Sequence, residues 1–174
     1  MKILRHLQAI VLLPLMVAVV IPWLLLFGSA GINVGWSLAP PLHLLPLLAG
    51  GLLIGLGLTL VVLTISLFFK HGAGTLAPWT PTQQLVVRGI YRHVRNPMIS
   101  GIFGVLLGEA VLLGSVTLLA WCGFVVLLNL IYVPLVEEPG LGQRFGADYL
   151  RYKQHVPRWI PRLRPWRAPD ALPR

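Results

Sequence analysis

Every lysine and arginine in this chain falls in three of its five non-apolar segments, and this asymmetry limits the fold more than any other feature. The stub before the first apolar run holds Lys2 and Arg5. The segment between the second and third runs holds Lys70, Arg88, Arg92 and Arg95. The tail beyond Val136 holds Arg144, Arg151, Lys153, Arg158, Arg162, Arg164, Arg167 and Arg174, which completes the fourteen. The connections Ser29–Leu42 and Gly114–Ser115 hold none. Between these segments lie apolar runs over roughly residues 7–28, 43–69, 97–114 and 116–136. A helix needs about 20 apolar residues to cross a ~30 Å hydrocarbon core. Each run therefore reads as a span, the third slightly short and the second long enough to tilt. Four spans with both termini on one side put all the bases on that side, which the positive-inside rule makes the cytoplasm. The expected fold is an all-α integral membrane helical bundle, one domain over residues 1–174, with four transmembrane helices and a cytoplasmic loop over 70–96.

Composition agrees. The chain is 56% hydrophobic and 11% charged, with a mean hydropathy of +0.80, whereas soluble domains are about one quarter charged. Little chain is left for a soluble catalytic domain, so any site must be built from helix ends, short loops and the tail. The net charge of +9 sits beside apolar spans, where topology and anionic headgroups account for it without nucleic acid. Cys122 is the only cysteine, which excludes an internal disulfide and a cysteine-based zinc site. A cleaved signal peptide is the rival reading of the first run, with Gly28-Ser29-Ala30 as its cleavage site. That run exceeds the usual hydrophobic core of about 7–15 residues, and its removal would break the charge asymmetry. Pro14 and Pro22 are expected to bend this helix, which membrane spans tolerate. Gly51 with Gly55, and Gly104 with Gly108, have the small-xxx-small spacing of close helix packing.

Three polar segments can carry chemistry. In Arg88-Gly-Ile-Tyr-Arg-His-Val-Arg-Asn-Pro97, Asn96-Pro97 reads as a helix start, Asn being a favoured cap and Pro a favoured first residue. Free backbone donors and the positive dipole end gather there beside Arg92, His93 and Arg95, which suits an anion; ordinary juxtamembrane anchoring is the alternative. Glu137-Glu138-Pro139 closes the fourth run on the same side, and the tight Gly114-Ser115 turn must return it near Arg95. Paired carboxylates facing arginines can hold a zwitterion, or form a structural salt bridge. In Lys70-His-Gly-Ala-Gly-Thr75, Gly72 and Gly74 permit close backbone approach to a ligand, and are equally good helix-stop residues. Glu109 and Asn129 lie deeper and read as helix-to-helix contacts.

Beyond the fourth run, Phe145, Tyr149, Tyr152 and Val156 recur at helical spacing. They predict an amphipathic helix over 143–156, lying on the membrane or capping a cytoplasmic site. From Pro157 to Arg174 the Pro- and Arg-rich chain reads as an irregular basic tail.

The stretch from Gly72 to Pro161 resembles the membrane methyltransferases grouped as isoprenylcysteine carboxyl methyltransferases and phospholipid (phosphatidylethanolamine) N-methyltransferases. The features carrying the resemblance are Gly-x-Gly-Thr followed by Pro, Leu-Val-Val-Arg-Gly-Ile-Tyr-Arg-His-Val-Arg-Asn-Pro-Met, the hairpin, Glu137-Glu138, Phe145-Gly-x-x-Tyr149-x-x-Tyr152, and Val156-Pro-Arg-x-Ile-Pro161. The resemblance implies S-adenosylmethionine as cofactor and S-adenosylhomocysteine as product, with a cytoplasmic-side pocket capped by the C-terminal helix. Arg95, Asn96, Pro97, Glu137 and Glu138 occupy its motif positions. Tyr91, Arg92, His93, Gly72 and Gly74 join them as expected cofactor neighbours, with Arg95 and Glu137 expected to act on the reaction itself. Asn96 stands where the isoprenylcysteine branch has His, and Ile99 where both branches usually carry Tyr, which leaves the acceptor open between a prenylated carboxylate and an aminolipid. The expected partners are a lipid or prenylated substrate and membrane lipids, with no metal. Two other functions compete: a membrane reductase using a nicotinamide cofactor, and a non-catalytic membrane subunit or transporter.

Overall fold

The structure, a computed structural model, describes residues 12–28, 32–71 and 85–167. Among them every regular element is helical and no strand occurs. Helix α1 is Leu12–Gly28, α2 is Leu44–His71, α3 is Pro97–Leu113, α4 is Val116–Tyr132 and α5 is Glu138–His155. Short 3-10 turns cover Val34–Ser37 and Gly89–Arg92. Two stretches are long and apolar enough to cross a membrane, Leu44–Leu67 and the continuous Val116–His155, while α1 and α3 are shorter apolar helices. Their outward side chains are largely apolar: Leu48 and Val116 are each 69% exposed and Phe27 75%.

Helix α4 does not stop at the Glu137-Glu138 pair, as its sequence had indicated. A π-helical stretch, Val133–Glu137, joins it to α5. There Glu138 N–H bonds five residues back to Val133 C=O, immediately ahead of Pro139, which has no N–H to give. The wide turn moves the carbonyls out of the register in which proline would leave one unpartnered. The same device precedes Pro22 in α1, where Ile21 N–H bonds to Met16 C=O within the π-helical stretch Met16–Val20. The C-terminal helix thus begins at Glu138 and not near residue 143. It is broken only at Gly146, whose φ of 53° lies in the left-handed region that favours glycine. The helix ahead of that break, from Val116 to Phe145, runs about 45 Å at 1.5 Å per residue, longer than a ~30 Å hydrocarbon core. The apolar run of this stretch ends at about Val136, and Glu137 and Glu138 follow it.

The chain divides into two compact units. In the unit of residues 11–59 and 101–128, a core of Ala18, Val105, Leu106, Cys122 and Val125 joins α1, α3 and α4, and Trp121 Nε1 donates to Val17 C=O at 3.1 Å. Helices α2 and α3 meet through glycines, but not the pair first indicated. A Cβ on Gly50 would come 2.7 Å from Gly108 O, and one on Gly57 would come 2.5 Å from Gly101 O, whereas Gly51 and Gly55 face open space. Gly104 and Gly108 do lie in the contact, so the α3 stripe is as spaced in sequence and its α2 partner is Gly50/Gly57. The α3–α4 turn needs glycine: Gly114 has φ +57°, and a Cβ there would collide with Asn33 O. Asn33 N–H and Trp36 Nε1 bond to Leu113 C=O and Val111 C=O, capping carbonyls that α3 leaves open at its end. Glu109 has a buried Oε2 without a hydrogen-bond partner.

The other unit comprises residues 60–100 and 129–174. Tyr149, Tyr152, Val156 and Trp166 are buried together, with Leu85, Val87, Leu141 and Phe145 packed on them. The apolar face of the C-terminal helix is therefore spent inside the protein, on the tail's own tryptophan. Residues 157–167 have no regular secondary structure, yet they are held along Arg92–Asn96. Arg95 and Asn96 N–H bond to Pro157 and Arg158 C=O, while Arg162 and Trp166 N–H bond to His93 and Arg92 C=O.

Candidate active site

The site grows from the chain between Leu85 and the start of α3. Gly89, at φ +53°, turns the backbone tightly against Leu67, and the 3-10 turn Gly89–Arg92 buries Tyr91. Tyr152 donates its hydroxyl to Tyr91 C=O at 2.6 Å, fixing α5 against this turn. Arg92 Nε donates to Trp166 C=O at 2.7 Å, and His93 Nδ1 to Arg162 C=O at 2.7 Å. These two side chains, expected beside an anion, hold the tail. Pro97 is fully buried at the first position of α3, the place where its missing N–H costs nothing. Gly72 and Gly74 lie outside the described residues.

Arg95 is the hub. Its Nε donates to Val156 C=O at 2.9 Å, and its Nη1 reaches Glu138 Oε1 at 2.8 Å and Tyr149 Oη at 3.3 Å. Arg158 Nε contacts the same Oε1 at 2.6 Å, and Lys153 Nζ lies 2.6 Å from Oε2. That last contact is an ion pair without hydrogen-bond alignment, since Oε2 has no hydrogen-bond partner. Glu138 thus has three cations on a side chain only 2% exposed. Burial opposes its ionisation, but the hydrogen bond from Arg158, the close Lys153 ammonium and the nearby Arg95 charge outweigh burial and hold its carboxyl at about 2. Arg158, Lys153 and Tyr149 were not singled out from sequence, although Arg158 and Tyr149 stand inside the two tail motifs.

Glu137 is the opposite case. It is half-buried, and among the described residues it has neither an ion pair nor a hydrogen bond. Burial and the adjacent Glu138 charge push its carboxyl above the usual range, and Arg95 pulls the other way. One carboxylate of the pair is therefore saturated and the other is unspent. Arg95 likewise keeps Nη2 without a partner among the described residues. An acceptor carboxylate beside a donor guanidinium edge matches a molecule carrying both an ammonium and a carboxylate. No group of three or more His, Cys, Asp or Glu side chains is placed to hold a metal among the described residues.

The two shifts act on stability with opposite sign. Glu138 has a folded value below its ordinary 4.5, so its contribution is complete above that pH and is lost as pH falls from about 4.5 to about 2. Glu137 has a raised value and costs stability when charged, a cost relieved as it protonates on the same descent. Melting temperature should change little on acidification until pH reaches the ordinary carboxylate value, then drop steeply. A curve that stays flat to about pH 2 would show that the Glu138 cluster contributes nothing.

The regular elements of the described residues are all helical, two stretches are long and apolar enough to cross a membrane, and a charged cluster forms around Glu138. The phospholipid methyltransferase family model matches residues 45–148, more than half of the chain, and the chain belongs to that family of membrane methyltransferases. The matched stretch contains Arg95, Asn96, Pro97, Glu137 and Glu138. No curated protein and no solved structure matches the chain.

Proposed function

We propose that this protein transfers a methyl group from S-adenosylmethionine to a lipophilic acceptor at the cytoplasmic face of a membrane. The observation that carries this reading is the division of labour in the glutamate pair, which leaves Glu137 unpaired beside Arg95. When bound, the cofactor supplies an electrophilic methyl on a sulfonium sulfur. Arg95, held in place by Val156 C=O and Glu138, presents its free edge to the cofactor carboxylate. Glu137 takes the ammonium or the ribose hydroxyls, while Glu138 keeps Arg95 and Arg158 fixed. In-line displacement needs positioning and exclusion of water more than acid–base help, and the docked tail and buried Tyr149 and Tyr152 supply a dry wall. The family name favours a phospholipid acceptor over an isoprenylcysteine carboxylate. The test is transfer of labelled methyl from S-adenosylmethionine into total lipid and protein extracts, with the labelled species identified. Label in phospholipid headgroups is the expected result; no label above a boiled control overturns the reading.

The same reading places α1 to α4 as four spans with both termini in the cytoplasm, supported by the confinement of all fourteen Lys and Arg to three segments. Single cysteines at Asn33 and at Gln143, both exposed, in a Cys122→Ala background, should react with an impermeant reagent from opposite sides. Reaction of both from one side defeats the four-span arrangement.

A further inference from the structure

The tail carries a surface that the methyl-transfer reading does not use. Between Trp159 and Arg167 the chain forms an arch with fixed feet. At one foot Ser100 Oγ donates to Trp159 C=O at 2.9 Å; at the other Trp166 N–H bonds to Arg92 C=O, with its indole buried against Tyr152 and His155. Arg162 N–H, bonded to His93 C=O, pins the middle. What the arch shows to the outside is unusual for a rigid segment. Ile160 is 80% exposed and Leu163 97% exposed, and Arg164 and Arg167 are exposed with no acidic partner among the described residues. Ser100 lies three residues into α3, about 4.5 Å along it at 1.5 Å per residue. Its bond to Trp159 therefore sets the arch at the depth of the helix's first turn, where a span enters the headgroup layer.

Two aliphatic tips flanked by unpaired arginines, held at that level, match a membrane surface of negative charge. The aliphatic groups gain by leaving water, and guanidinium groups meet phosphates while their stems stay apolar. We propose that the arch Trp159–Arg167 seats on the anionic lipid surface of the leaflet that α3 enters, with Ile160 and Leu163 in the acyl boundary and Arg164 and Arg167 on lipid phosphates. The seating clamps the tail strand that holds Arg92, His93 and Arg95, so the composition of the leaflet reaches the site through Arg162 and Trp166. This proposal needs the membrane placement of α3 but not the identity of the cofactor or acceptor.

The test uses the full chain with Cys122→Ala and Leu163→Cys, a nitroxide on the new cysteine, and reconstitution into bilayers. The readout is the ratio of collisions with dissolved oxygen, which enriches in lipid, to collisions with a neutral water-soluble nickel chelate. In phosphatidylcholine containing phosphatidylglycerol, oxygen should dominate; in phosphatidylcholine alone the chelate should. Adding Arg164→Gln and Arg167→Gln should abolish the response to phosphatidylglycerol while leaving the melting temperature at the parent's value, since both side chains are exposed. Chelate dominance in both bilayers overturns the proposal, and oxygen dominance in both removes its anionic requirement and overturns it equally. Inorganic phosphate reproducing the phosphatidylglycerol effect in phosphatidylcholine would assign the arginines to a soluble anion instead. Shielding from both reagents would mean that protein covers the arch.

Discussion

Glu138→Gln is expected to cost roughly 3–5 kcal/mol of stability, the range for removing one partner of a buried ion pair. The variant keeps the shape and removes the charge that Arg95, Arg158 and Lys153 share. The three do not count equally. Lys153 is 42% exposed and Arg158 27% exposed, so solvent screens much of their loss. Arg95 is 9% exposed and would be left as a nearly buried, unneutralised guanidinium. The melting temperature should fall on the order of 10 °C for a chain of this size. Lys153→Met should shift it by no more than a degree or two. If Glu138→Gln melts with the parent, the carboxylate is not the anchor of this unit.

Glu137→Gln should behave in the reverse way. Its carboxylate has no partner among the described residues and is disfavoured by burial and by Glu138, so removing the charge should leave the melting temperature unchanged or raise it. Its effect should appear in ligand binding. A charge-assisted hydrogen bond is worth roughly 1.5–3 kcal/mol, so affinity for S-adenosylhomocysteine should weaken at least about ten-fold. The stabilisation by that ligand should shrink by mass action. Stability given up at a site that binds is what functional groups show. A Glu137→Gln protein that binds as tightly as the parent would remove Glu137 from the cofactor site and leave Arg95 as the anchor of the tail.

The start of α3 and the turn from α3 into α4 were legible because local chemistry sets them. Proline fits only the first turn of α3, and Gly114 is needed where the backbone turns left-handed. On α2 the sequence spacing points to Gly51 and Gly55, whereas Gly50 and Gly57 make the contact. Gly51 and Gly55 repeat in sequence as well as Gly50 and Gly57 do, and spacing alone cannot say which stripe meets α3. The run of α4 through Glu137-Glu138-Pro139 was also invisible. A proline normally marks a helix boundary, and nothing in the sequence announces a π turn that removes the conflict by shifting the hydrogen-bond register.

By itself the sequence determined the class. A long apolar repeat with every basic residue in three segments admits few folds other than a helical membrane one, since transfer of charge into hydrocarbon is too costly to be compensated locally. It also indicated that the glutamate pair returns near Arg95, because the Gly114-Ser115 turn folds α4 back along α3, and Glu138 does meet Arg95. Only the tertiary structure decided what each of those residues does. Glu137 and Glu138 are chemically identical neighbours, and helix geometry turns successive side chains about 100° apart. Glu138 therefore meets three cations at ion-pair distance, while Glu137 has no ion pair among the described residues and feels only the more distant pull of Arg95. In the same way Arg92 and His93 are drawn onto the tail by its backbone carbonyls. That pairing joins residues some seventy positions apart, and it exists only once the tail has folded back and buried Trp166.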